Sequence, residues 1–448
     1  MGYERGGTTL PGPRAPRIVQ SALFLSRPVE FLARARRRHG DCFGLRLLVF
    51  GDVAYVADPV EIKRIFTGDA ATFHAGEANT IMRPLVGSRS VLTSDEDDHM
   101  RRRRALLAPF HGDAVRAYER TVREVTERAV DAWPLREPFA VRPSMQAITL
   151  DVILRAVVGV RDEARLDELR RLLPPITEIP IVETMLGGSF PGLVASPAGR
   201  ALPAMRAARR ADELLHDEIR RRRAEEPGPD VLSMLVPGTG DDRELRDQLM
   251  TLLLAGHETT TTGLAWTFER LVRHPAVLRR LRDAVDAGED AYVDAVAHEA
   301  LRVRPVIMDV ARKVTADVTV AGHRVRAGSL VMPAIALVHE DGTVYDDPQA
   351  FRPERFLDRK PGTYTWIPFG GGVRRCVGAA FALMEMRTVL KTVIERVDLA
   401  TTRAPGERAR VRHVTLVPAR GGRIAVAARR SRPPLTASVA GPVRSQAR

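Results

Sequence analysis

Cysteine and lysine are nearly absent from this chain. Only Cys42 and Cys376 occur among 448 residues. Two cysteines over that length cannot build a disulfide framework or a structural zinc site, and a reducing compartment is the default expectation. Lysine occurs only as Lys63, Lys313, Lys360 and Lys391, so arginine carries nearly all the positive charge. Long apolar runs are missing too. The best one near the start, Ile18 to Leu25, is interrupted by Gln20 and Ser21. A membrane span needs roughly 20 apolar residues, and a secretory signal needs a longer apolar stretch with a cleavage site. No membrane span is predicted, and the expected location is cytoplasmic.

What is present is ordinary globular material, with 44% hydrophobic and 28% charged residues. The net charge of +13 sits largely in the tails: residues 1–27 carry +3 and residues 429–448 carry +5. Internal arginine runs alternate with acids, as in Arg209-Arg210-Ala211-Asp212-Glu213. That is the pattern of a solvated helix face, so the charge predicts no nucleic-acid partner.

Length alone suggests about three domains, but no linker divides the chain. One large domain over residues 28–428 is predicted. An irregular Gly/Pro-rich arm (1–27) precedes it, and a disordered basic tail (429–448) follows. Helical periodicity marks Val29–Arg38, Val60–Phe66, Arg101–Leu107, Val115–Ala132, Met145–Val158, Ala204–Arg223, Asp242–Arg273, Tyr292–Arg302 and Val377–Val397. Strand-like runs fall at Leu45–Val56, Val314–Val338 and Val411–Ala427, with hairpins expected at Gly51-Asp52 and Gly421-Gly422. The apolar, Pro-interrupted stretch Leu172–Pro203 reads as a mobile flap. The fold class is mainly α with small β-sheets.

The strongest local signal is Phe369-Gly370-Gly371-Gly372-Val373-Arg374-Arg375-Cys376-Val377-Gly378. A Gly-rich loop brings bare backbone close to something, and three glycines allow the close approach that a planar ligand requires. A cysteine follows, and then an amphipathic helix begins. A thiolate at a helix N-terminus is favoured by the dipole and by unpaired N–H groups, which can also donate to sulfur. One thiolate with no nearby His or Cys cannot hold zinc. It can serve as the single axial ligand of a haem. No Gly-Lys-Ser/Thr follows the glycines, so they do not read as a phosphate loop.

The pattern Phe-x-x-Gly-x-Arg-x-Cys-x-Gly resembles the cysteine signature of the cytochrome P450 family at every specified position. Other motifs follow in family order. His99 and Arg103, four apart on one helix face, together with Arg312 and Arg374, resemble the groups that hold the two haem propionates. Glu299-Ala-Leu-Arg302 and the later Pro353-Glu354-Arg355-Phe356 resemble the two halves of a buried Glu-Arg-Arg triad that braces the cysteine loop. Ala255-Gly256-His257-Glu258-Thr259-Thr260, midway in a long apolar helix, resembles the oxygen-activation groove. There the helix ladder is expected to open locally. His257-Glu258 and His298-Glu299 both lack the second His of a zinc-hydrolase motif, since Thr261 and Arg302 stand there.

The resemblance implies the P450 fold as a single large domain, a haem b cofactor with Cys376 as axial ligand, and Phe369, Gly370, Gly378 and Ala255 against the haem. Thr259 would hydrogen-bond dioxygen or a water, and Glu258 would supply protons. It implies a bacterial monooxygenase, a monomer, that acts on a lipophilic small molecule by hydroxylation or epoxidation. Electrons would come from NAD(P)H through a separate ferredoxin and ferredoxin reductase, docking on Arg101, Arg102, Arg104 and Arg375. Met82, Val86, Leu252, Ala255, Val306, Ile307, Val310 and Leu416 are the expected substrate-pocket residues. A peroxygenase or lyase on the same fold, or a non-catalytic haem sensor, stays open at this point.

Overall fold

The computed structural model describes residues 9–110, 112–177, 203–357 and 362–430. Its longer helices are α1 (Arg17–Ser26), α2 (Pro28–His39), α3 (Pro59–Thr67), α4 (Glu96–Leu107), α5 (Asp113–Asp131), α6 (Arg142–Ile153), α7 (Glu163–Thr177), α8 (Pro203–Ala224), α9 (Asp242–Leu271), α10 (Pro275–Ala287), α11 (Asp290–Val303) and α12 (Ala379–Arg396). A single π-helical turn, Leu154–Val158, extends α6.

Helix α9 is the axis of the molecule. Asp241 caps it by accepting from the Arg243 N–H. Beyond the first turn its residues are buried on nearly every side, from Leu249 through Leu271. Such a helix needs neighbours all round, and it packs against α6, α8, α11 and α12. The main apolar core forms there, with Met145, Ile148, Leu249, Leu264, Phe268, Leu301, Met386 and Leu390 among its members.

A small sheet stands to one side. Its order is β1 (Cys42–Leu47), β2 (Gly51–Val56), β8 (Leu330–Pro333), β5 (Arg312–Val314) and β3 (Phe73–His74). Only the β2–β8 pairing is parallel. Strand alternation divides its side chains. Val53 and Tyr55 join a cluster with α1 and α2, while Ala54 and Val56 join Ile62, Ile65 and Phe66 of α3. Phe66 thereby lies between the sheet and the cysteine loop.

Four two-stranded pairs complete the β structure: β6 (Val318–Val320) with β7 (His323–Val325), β10 (Ala409–Arg412) with β11 (Thr415–Pro418), β12 (Arg423–Ile424) with β4 (Phe139–Ala140), and β13 (Val426–Arg429) with β9 (Val397–Leu399).

Four expectations need correction. Arg17–Ser26, read as part of an irregular arm, is helical: Gln20 is fully buried and donates to the carbonyls of Pro13 and Ala15. Pro275–Ala287, not singled out in the sequence, is a helix started by a proline in its first turn and ended at Gly288 in the left-handed region. The last hairpin pivots at His413-Val414, because β10 pairs with β11 in register Arg412↔Thr415. Gly421-Gly422 instead turns the chain toward β4. Finally, α9 is helical from end to end: the Thr259 and Thr260 hydroxyls bond back to the carbonyls of Ala255 and Gly256 at 2.7 and 3.1 Å without interrupting it. Of the expected flap, Leu172–Thr177 belongs to α7, and residues 178–202 lie outside the described residues. So do 431–448 of the basic tail.

Candidate active site

The cysteine loop lies between α3 and α12. The Gly370 N–H donates to the Ile367 carbonyl at 3.0 Å, and the Cys376 N–H donates to the Phe369 carbonyl at 2.9 Å. A short 3₁₀ turn, Gly372–Arg374, fills the loop. Gly370 and Gly372 have φ of +67° and +61°, a conformation that favours glycine. The close approach these glycines permit is partly to the protein itself. A Cβ on Gly371 would strike the Phe66 ring, and one on Gly372 would strike the Phe66 backbone carbonyl. Gly370 and Gly378 face open space.

Cys376 precedes α12, and the Gly378 N–H donates to its sulfur. The side chain is accessible, yet its enclosure by protein raises the thiol pKa. The Gly378 hydrogen bond and the charges of Arg375 and Arg103 oppose that rise. A side chain both accessible and enclosed opens onto an interior space. Ala255 is likewise exposed on α9, with Thr259 partly so one turn later, while Leu252, Leu253, His257 and Glu258 around them are buried.

Next to the loop stands a cationic cluster. His99 is 3% exposed, and its pKa falls to about 3, first through burial and then through the charges of Arg374, Arg103 and Arg312. Burial also lowers Arg312 and Arg374 to about 10, and each is raised by Asp95. Asp95 is the one carboxylate among these mutual influences, and it accepts from Arg374 at 2.5 Å. Arg374 further donates to the Ser94 carbonyl at 2.6 Å, and Arg312 lies over the Phe66 ring at 5.6 Å. His99, Arg312, Arg374 and Phe66 line a common cavity of about 230 Å³. Three guanidiniums against the carboxylates of Asp95 and Glu96, with His99 uncharged at its lowered pKa, leave an excess positive charge. A planar group carrying two carboxylates fits that excess, with Cys376 close enough to Arg103 to influence its charge.

The sequence-predicted triad comes together. Glu299 and Arg302 are fully buried and joined by two hydrogen bonds, and Arg355 reaches Glu299 at 3.1 Å. Phe369 packs on Trp366, whose ring stacks on His298 at 4.6 Å.

Other expectations fare differently. Glu258 does not stand open to solvent. It is 7% exposed and accepts from Arg142 at 2.6 Å. Arg102 is buried, so it is no docking residue, and Arg101 is engaged with Glu244 at 2.7 Å. Arg104 and Arg375 are exposed. Of the pocket candidates, Val86, Leu252, Val306 and Leu416 are core, while Met82, Ala255, Ile307 and Val310 remain accessible.

Sequence reasoning also missed three polar groups. Arg142 is one. Asp309 is another: it accepts from Tyr55 at 3.0 Å, and enclosure pushes its carboxyl up to about 7. Glu385 on α12 is the third, bonded to Thr260 of α9 and raised by burial to about 8. Only Glu385 had a usable signal, since it is an acid on the apolar face of a predicted helix.

The fold and this site define a haem-binding class, and the comparisons with known proteins name it. The chain belongs to the cytochrome P450 family: the family model described as cytochrome P450 matches residues 10–419. Cytochrome P450 135B1 of Mycobacterium tuberculosis is 45% identical over 435 residues, covering 94% of this chain and 92% of that protein. Cytochrome P450 138 of the same organism is 40% identical over 430 residues, covering 92% and 95%. Among solved structures, the cytochrome P450DA haem domain superposes with a TM-score of 0.80 at 25% identity, covering 95% of this chain and 98% of that one. Retinoic acid bound cyanobacterial CYP120A1 shares the fold with a TM-score of 0.77. Membership places the protein among the haem-thiolate monooxygenases in general. Among the described residues, no helix is long and apolar enough to cross a membrane.

Proposed function

We propose that the protein inserts one atom of dioxygen into a lipophilic small molecule, using electrons from NAD(P)H passed through a separate ferredoxin and its reductase. The observation that carries this reading is the convergence of an accessible, otherwise enclosed Cys376 with the basic cluster of His99, Arg103, Arg312 and Arg374.

In this reading Cys376 would supply the thiolate that holds the iron of haem b, and the cationic cluster would hold the propionates. When bound, that cofactor supplies the oxygen-cleaving chemistry, which thiolate ligation favours. The chain supplies orientation and protons. The Gly378 N–H tempers the electron density on sulfur. The Thr259 hydroxyl, which now donates to the Ala255 carbonyl, is placed to reorient and donate toward the open space beside Ala255. Glu258 is the next acid on the helix, and it can pass a proton only as its pairing with Arg142 loosens. Accessible Met82, Ile307 and Val310 suit an apolar substrate. Arg104 and Arg375 offer exposed positive charge for an acidic electron donor.

The test is a spectrum of the reduced protein with carbon monoxide, repeated with Cys376→Ala. The red-shifted Soret band of thiolate ligation is expected for the native chain and lost in the variant. An ordinary haem spectrum in both would end this reading. Thr259→Ala is then expected to consume reductant without matching product, and full coupling would remove its proton role. Arg104→Glu with Arg375→Glu should slow reduction by ferredoxin in a salt-dependent way, whereas an unchanged rate would place docking elsewhere.

A further inference from the structure

Helix α1 is inside out. Its polar side chains face the protein, where Gln20 is fully buried and Ser21 nearly so. Gln20 donates to the Pro13 and Ala15 carbonyls and accepts from the Arg46 N–H at 3.0 Å. Ser21 donates to the Arg17 carbonyl and accepts from the Leu48 N–H at 2.9 Å. At about 3.6 residues per turn, Leu25, Ile18, Ala22, Val19 and Leu23 share the face opposite buried Phe24, interrupted only by Ser26, and all are exposed. Turning the helix over to hide them would break every bond that Gln20 and Ser21 make.

The turn after β1 extends this face. Leu48 and Val49 are 59% and 62% exposed, beside Ile18 at 69% and Leu25 at 57%. The bond from the Leu48 N–H to Ser21, which lies between Ile18 and Leu25 on the helix, holds the turn there. Single exposed apolar side chains are ordinary, but a cluster of them marks an interaction surface. With Val19 and Leu23, this cluster holds six of the thirteen exposed large hydrophobics among the described residues. Its surroundings are basic. Residues 14–52 contain eight arginines against Glu30, Asp41 and Asp52, and exposed Arg14 and Arg27 flank the two ends of α1.

We propose that α1 and the Leu48-Val49 turn dock the protein on the surface of an anionic lipid bilayer. The apolar side chains enter the boundary between headgroups and acyl chains, and the arginines meet the lipid phosphates. The helix lies on the bilayer and does not cross it: ten residues reach about 15 Å, against roughly 30 Å of hydrocarbon. A second copy of this chain fits the face less well, because it would set arginine against arginine. The docking surface stands on exposed side chains and their charge, and it needs nothing from the haem reading.

The experiment is flotation of the full chain with vesicles of equal parts phosphatidylglycerol and phosphatidylcholine, and with vesicles of phosphatidylcholine alone. The chain should partition onto the anionic vesicles at low salt at least tenfold more strongly than onto the neutral ones. Combining Ile18→Ser, Leu25→Ser, Leu48→Ser and Val49→Ser should weaken that partition at least tenfold. Arg14→Gln with Arg27→Gln should weaken it severalfold. All six side chains are exposed, so thermal unfolding without vesicles should match the parent. No flotation with the anionic vesicles would overturn the proposal. So would flotation unmoved by the fourfold substitution, which would assign the attraction to charge alone, such as the basic stretch 429–448. Self-association of the parent without vesicles, abolished by the fourfold substitution, would make the face a contact between copies instead. None of these measurements reads the haem spectrum or turnover, so their failure leaves the haem assignment where it stands.

Discussion

Arg302 grips Glu299 with both edges of its guanidinium, Nε to one carboxylate oxygen at 2.7 Å and an Nη to the other at 2.8 Å, and neither side chain is exposed. The remaining donors of Arg302 reach the carbonyls of His339, Pro348 and Ala350 at 2.9, 2.8 and 3.1 Å. Glu299 also accepts from the Arg352 N–H at 2.8 Å. The pair therefore ties α11 to the irregular chain leading toward the cysteine loop, which has little regular structure to hold it. Glu299→Gln leaves two buried guanidiniums, Arg302 and Arg355, short of a countercharge. Removing one member of a buried ion pair typically costs about 3–5 kcal/mol. An unfolding free energy lowered by that amount, read by denaturant titration, is expected, together with weaker haem retention. A variant as stable as the parent would mean that the triad is ornamental.

The two inner glycines of the cysteine loop differ in what limits them, and this separates two variants. Gly371 has extended backbone with φ of −156°, and only the Phe66 ring stands in the way of a Cβ. Gly372 has φ of +61° and meets the Phe66 backbone carbonyl. Gly371→Ala should therefore be partly rescued by Phe66→Ala, with a favourable coupling energy in a double-mutant cycle. Gly372→Ala should not be, because trimming a side chain moves no carbonyl and relieves no left-handed strain. Stability read by urea titration decides the matter, and equal rescue of both would refute the packing argument.

The sequence displayed the candidate site residues better than their restraints. Cys376, Thr259, the Glu299–Arg302 spacing and the long α9 are legible because local spacing defines each. Their partners are not. Asp95 holds Arg374 across 279 positions of sequence, and Arg142 holds Glu258 across 116. No periodicity couples residues so far apart. The pivot at His413-Val414 was missed because paired glycines are a stronger turn signal than His-Val, although His413 itself adopts φ of +55°. Half the apolar pocket candidates proved to be core for a related reason: hydrophobicity marks burial and says nothing of what lies on the far side.

Glu385 gives a pH prediction with a definite sign. Burial raises its carboxyl from the ordinary 4.5 to about 8, and the Thr260 hydrogen bond only partly offsets this. The folded chain thus holds this proton more tightly than the unfolded one. Its contribution is fully present below about pH 4.5 and is lost as pH rises through about 8. One such proton changes stability by about 1.4 kcal/mol per pH unit. Glu385→Gln keeps the shape and removes the titration. The variant should match the parent near pH 5 and exceed it increasingly toward pH 8, as read by thermal unfolding. Parallel curves would show that Glu385 is already ionised in the fold.

His99 sets the opposite slope. Its folded pKa is depressed to about 3 by burial and by three arginines, against an ordinary 6.5. Here the unfolded chain binds the proton better, so stability is full above about pH 6.5 and is lost as pH falls toward 3, again by about 1.4 kcal/mol per unit. His99→Asn, neutral throughout, should flatten this acid limb in the haem-free protein. If the cluster receives carboxylates, as proposed, their negative charge offsets Arg103, Arg312 and Arg374, and the imidazole becomes easier to protonate. Haem-loaded protein should then lose less stability between pH 6.5 and 4 than the haem-free chain does, and His99→Asn should narrow that difference. An acid limb of the same steepness with and without haem would place the propionates away from His99.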